Sequence, residues 1–85
     1  MNLIVFEVAA SSKGEIDMQH TVNSILREVE NIGIAYSESD AQREWSPDKR
    51  TWKLLLPIVN QVSATEMHAL RSKLAGIQVY LVVGS

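Results

Sequence analysis

With 85 residues, 46% of them apolar and 21% charged, and a formal net charge of −2, the chain has the makeup of one globular domain spanning 1–85, not of a disordered or strongly basic protein. Eight Lys and Arg against ten Asp and Glu leave no surplus of positive charge for a phosphate backbone. The absence of cysteine excludes disulfides, thiolate metal sites and a Cys nucleophile, and it fits a reducing, cytoplasmic setting.

The first element is LIVFEVAA (3–10), a continuous β-branched and aromatic run of the kind found in a strand covered on both faces. Glu7 interrupts it and no basic segment precedes it, so it reads as a strand and not as a leader peptide. SSKGEID (11–17) is a loop by its small, polar composition. From Met18 the period changes: Met18, Val22, Ile25, Leu26, Val29 and Ile32 fall on one helical stripe. Asp17 is the expected N-cap and Gly33 the left-handed residue after the last turn, with Glu28 and Glu30 facing solvent.

IAYSESDAQREW (34–45) is a polar strand suited to a sheet edge. SPDK (46–49) places Ser and Pro at the first and second positions of a type I turn. RTWKLLLPIV (50–59) is the second strongly apolar strand, and Pro57, lacking a donor, predicts either its end near Leu56 or a bulge. SATE (63–66) is a capping box that opens a second helix, with Met67, Leu70 and Leu74 as its apolar stripe and Gly76 after it. IQVYLVV (77–83) is the last strand. No run approaches the roughly 18 apolar residues of a membrane span, so no membrane partner is expected.

Strand, helix, strand, strand, helix, strand makes an α+β, ferredoxin-like βαββαβ sandwich: a four-stranded antiparallel-type sheet of order 4-1-3-2 with two helices on one face. That order places the two most apolar strands in the middle and the most polar one at an edge.

Side-chain alternation then assigns the faces. Trp52, Leu54, Leu56, Ile4, Phe6, Val8, Ile77, Val79 and Leu81 point toward the helices. The open face receives Leu3, Val5, Leu55, Tyr80 and Val82 around Glu7 and Lys53, an apolar patch of the size that marks interaction surfaces. Glu7 and Lys53 fit a cross-strand ion pair.

The segment REWSPDKRTWK (43–53) gathers both tryptophans of the chain. Arg43, Trp45, Lys49 and Arg50 form a second candidate contact, with Trp45 across the hairpin from Trp52. Aromatic and basic neighbours suit stacking on single-stranded bases, but Glu44 and Asp48 dilute the field. Ser11, Ser12, Lys13 and Gly14 have chemistry suited to an anion, beside two acidic residues, Glu15 and Asp17, that oppose one. His20 and His68 lie on different helices, so no metal site is expected. No nucleophile–base constellation can be assembled, so neither a catalytic residue nor a cofactor is expected.

The element order resembles that of stand-alone ACT-type regulatory domains, which bind amino acids or other small ligands at subunit interfaces. Gly14 and Gly33 stand farther apart than the two glycines of that family. Small CRISPR-associated nucleases of the Cas2 type share the plan and carry an acidic residue at the end of the first strand, where this chain has alanines. The residues point to a small non-enzymatic regulatory protein that modulates or inhibits a protein partner, or pairs with itself as a homodimer. A small-ligand domain and a nucleic-acid binder or nuclease are the alternatives.

Overall fold

A computed structural model describes residues 2–10 and 15–84. The elements run β1 (Asn2–Ala9), α1 (Glu15–Ile32), β2 (Gln42–Trp45), β3 (Thr51–Ile58), α2 (Ala64–Lys73) and β4 (Gln78–Val83). The sheet order is β2-β3-β1-β4, every neighbour antiparallel. This is the ferredoxin-like sandwich expected from the sequence.

The alternation of the strands separates the two faces. Ile4, Phe6, Trp52, Leu54, Leu56 and Val79 are buried together with Met18, Val22, Ile25 and Val29 of α1 and Met67 and Leu70 of α2. One apolar layer therefore joins both helices to one side of the sheet. Truncating a fully buried member such as Phe6 to Ala costs about 3–5 kcal/mol, because the cavity adds to the lost transfer energy.

Both helices are capped by their own sequence. Ser63 accepts the Glu66 N–H at 3.1 Å, and Glu66 accepts the Ser63 N–H at 2.9 Å. At the end of α1, Gly33 (φ 95°) lets its N–H reach the Glu30 carbonyl while the Ile34 N–H reaches that of Val29. This is a Schellman closure, with Ile34 and Val29 both buried beside it. Asp17 does not cap α1 as expected. The helix begins at Glu15, so Asp17 lies in the first turn, where a carboxylate still favours the dipole. Glu30 is exposed, while Glu28 is half-buried.

Pro57 leaves its mark on the neighbouring strand. β3 runs on through Ile58, and the Pro57 carbonyl accepts the Ser37 N–H at 2.9 Å. The donor that proline lacks therefore faces β2. There the edge strand breaks: Tyr36 bridges Ile58 and Gln42 pairs with Leu55, so β2's side takes six steps where β3 takes three. The expected 34–45 strand is thus a short bridge at Tyr36, a bulging loop and the four residues of β2.

Candidate functional site

The open face follows the ladder. Val5 pairs with Leu55 on one side and Tyr80 on the other, and Leu3 pairs with Pro57 and Val82. All of these face away from the helices. Val5 is nonetheless only 3% exposed and stands outside the main core. It stands on a central strand with a same-face neighbour on each side, Leu55 and Tyr80, a setting that shields a side chain from solvent. Leu3, Leu55 and Tyr80 are half-buried and Val82 is 41% exposed. The patch is continuous, with its outer margin at β4.

Beyond Val5 the same face becomes charged. Glu7 stands opposite Lys53, which has Glu44 on its other side, and Gln78 completes the row. One cation flanked by two carboxylates leaves the row with an excess negative charge. A cleft of about 320 Å³ opens here, lined by Glu7, Glu44, Trp45 and Lys53 among others. The open face therefore has an apolar end and an acidic end.

The hairpin residues divide between the two sides of the sheet. Trp45 pairs with Trp52 and Arg43 with Leu54, so both belong to the helix side. The Arg43 guanidinium donates to Gln19 Oε1 at 2.8 Å and lies 3.8 Å from Met18 Sδ, tying β2 to α1. Trp52 is 2% exposed and Trp45 45%, so Trp52 belongs to the core and Trp45 presents a free flank. Lys49 and Arg50 are exposed in the turn. The structure brings Leu3, Val5, Glu7, Lys53, Leu55, Tyr80 and Val82 onto one surface, and it sets Arg43 and Trp45 on the other.

The turn that joins β2 to β3 is held by polar contacts. The Lys49 N–H reaches the Ser46 carbonyl at 2.9 Å, and no positive φ occurs at Asp48, as a type I turn requires. Asp48 accepts from Ser46 Oγ at 2.6 Å and from the Arg50 N–H at 3.0 Å. Those bonds hold its carboxyl below the usual aspartate range. The Ala10 N–H donates to the Arg50 carbonyl at 2.7 Å, anchoring the turn to the end of β1.

The residues behind the break in β2 were not singled out from the sequence. A cleft of about 600 Å³ lies there, lined by Asn2, Ser37, Asp40, Pro57 and Asn60 among others. Pro57 was its one legible signal. Beside it, Tyr36 Oη donates to Glu30 Oε1 at 2.6 Å. That bond, with partial burial and the charges of Glu30 and Glu38, pushes the phenol up to about 12.

Ser11, Ser12, Lys13 and Gly14, in the segment read as a loop, lie outside the described residues. His20 and His68 are both exposed, on α1 and α2 respectively. Among the described residues no group of three or more His, Asp or Glu gathers to hold a metal ion, and no helix is long and apolar enough to cross a membrane. No family model matches the chain, and no curated protein matches it.

Proposed function

We propose that this domain acts by contact and not by turnover: its open sheet face receives a protein partner whose activity it modulates. The observation that carries this reading is the continuity of Leu3, Val5, Leu55, Tyr80 and Val82 on the face that neither helix covers. The row of Glu44, Lys53, Glu7 and Gln78 at the other end selects the chemistry of the partner. A complementary segment presents aliphatic or aromatic side chains to the apolar end and a Lys or Arg to the two carboxylates. The exposed turn residues Lys49 and Arg50 form a second, peripheral contact in this reading.

A nucleic-acid role gains little support from the geometry, because Arg43 is committed to α1 and Lys53 stands between the carboxylates of Glu7 and Glu44. Capture from the native host, followed by binding of the purified pair, tests the proposal. Leu55→Glu puts a charge at the middle of the patch and should weaken binding by about a hundredfold, a loss typical of a central contact. Capture of the same proteins by wild type and Leu55→Glu with equal affinity overturns it.

A further inference from the structure

The hydrogen-bonding direction of every strand follows from two bonds outside the regular ladder. Ser37 donates to Pro57 and Ala10 donates to Arg50, so Lys53, Leu55 and Pro57 turn their backbone groups toward β2, and Leu54 and Leu56 turn theirs toward β1. Alternation carries this across the sheet. Leu3, Val5 and Glu7 face β4, and their partners Val82, Tyr80 and Gln78 face β1 in return. The backbone N–H and C=O groups of Val79, Leu81 and Val83 therefore point out of the sheet, at the free side of β4.

One of these groups is occupied. Arg71 of α2 donates its Nε–H to the Val79 carbonyl at 3.0 Å, an independent sign that this carbonyl lies outside the ladder. Leu81 and Val83 keep a donor and an acceptor each on the free edge. The strand QVYLVV carries no charge, proline or glycine, and Val83 is 72% exposed. Such an edge is a template for another strand.

We infer that the occupant of this edge is β4 of a second copy, paired antiparallel about a twofold axis at Val82. This register sets Leu81 against Val83 of the second copy and Val83 against Leu81 of the second copy. Four backbone hydrogen bonds result, using the N–H and C=O groups of Leu81 and Val83 in each copy and sparing the bond of Arg71 to Val79. On the open face Val82 meets Val82 of the second copy, and no charged side chain meets its like. The two sheets become one of eight strands with all helices on one side, and the two apolar patches merge across the axis. The inference rests on the reading of the domain as a contact module, and it adds a defined geometry of self-association.

Sedimentation of the full chain from micromolar to near-millimolar concentration tests it. The wild type should form a dimer. Val83→Pro removes a donor that β1 does not use and should weaken the dimer by at least about tenfold, since it deletes two symmetry-related bonds. Val83→Thr keeps the donor and should leave the dimer intact, as should Leu55→Lys on the face. In amide exchange, Leu81 and Val83 should gain protection with concentration, while Tyr80 and Val82 stay protected at all concentrations. A monomer throughout the range overturns the inference, as does a folded Val83→Pro chain that dimerises like wild type. Loss of the dimer in Leu55→Lys but not in Val83→Pro assigns self-association to the face and overturns the edge. Loss of captured partners in Leu55→Glu with the dimer unchanged leaves the two surfaces separate, as expected.

Discussion

The two edges of the sheet are built on opposite principles. β2 has four residues, all exposed, and its ladder is cut short by the loop opposite Pro57. Side chains hold it: Arg43 on Gln19, Trp45 across from Trp52, and the Ser46–Asp48 turn. β4 has six residues of nearly uniform apolar character and is held by the ladder to β1. The edges also differ in how they meet a copy of themselves. A twofold axis through the middle of β2 sets Arg43 against Arg43 or Glu44 against Glu44, whereas β4 meets itself without charge. Like charges directly opposite one another destabilise a strand pair, so β2 refuses the association that β4 permits. One edge is protected by shortness, charge and a bulge, and the other is left open.

If backbone pairing secures β4, the largest effect should come from a proline at an inward-facing position. Tyr80→Pro deletes the N–H that pairs with Val5 and should cost about 3 kcal/mol or more. Val83→Pro, whose N–H points outward, should change the stability of the monomer by less than about 1 kcal/mol. Urea unfolding at low concentration measures both, and equal losses in the two variants would erase the assigned strand direction. For β2 the vulnerable group is a side chain. Trp45→Ala should cost about 1–2 kcal/mol through lost aromatic contact and apolar burial. The emission of the remaining Trp52 should move to the red as its flank opens.

A smaller effect sharpens the picture of how the broken strand is fastened. Tyr36 is tied to Glu30 at 2.6 Å, so Tyr36→Phe should cost about 0.5–1.5 kcal/mol, the net value of one hydrogen bond. The phenol's ordinary value is 10.0 and the fold raises it to about 12. The folded state therefore holds a proton that the unfolded chain releases first. The stabilisation is complete below pH 10 and is lost as pH rises from about 10 to 12. Ultraviolet difference titration should show one tyrosine ionising late, and the alkaline loss of stability should be smaller in Tyr36→Phe.

Much of this was legible in the sequence because period and parity are strict. The alternation around Lys53 assigned Trp52, Leu54 and Leu56 to the core, and the ladder carried the same parity to Ile4, Phe6 and Val79. Ser63 and Glu66 announced their helix start through a local, reciprocal pair of bonds. Asp17 misled because a carboxylate suits both a cap and a first turn. Pro57 signalled a defect without revealing that the partner strand would absorb it, since a missing donor can be accommodated on either side. The burial of Val5 was also hidden: parity gives a direction, while exposure depends on how far Leu55 and Tyr80 lean over. Arg43 and Trp45 share a candidate contact with Lys49 and Arg50 by closeness in sequence, although the ladder sets the first two across from Leu54 and Trp52 and leaves the other two in the turn.

The smallest effect concerns the turn that ends the protected edge. Lys49 is the one non-glycine among the described residues with a positive φ, at 58°. An L-residue in the left-handed region loses roughly 1–2 kcal/mol to its Cβ, and glycine loses none. Glycine also makes the unfolded chain more flexible, which returns about 0.5–1 kcal/mol of that gain. Lys49→Gly should therefore stabilise the domain by about 0.5–1 kcal/mol, read as a modest rise in the unfolding midpoint. The ammonium of Lys49 is exposed, so its removal should leave the Ser46–Asp48 bonds undisturbed. Stabilisation with unchanged partner capture places Lys49 in the fold alone. Stabilisation accompanied by weaker capture identifies its charge as part of the peripheral contact, and a loss of stability would contradict the left-handed conformation on which the turn is built.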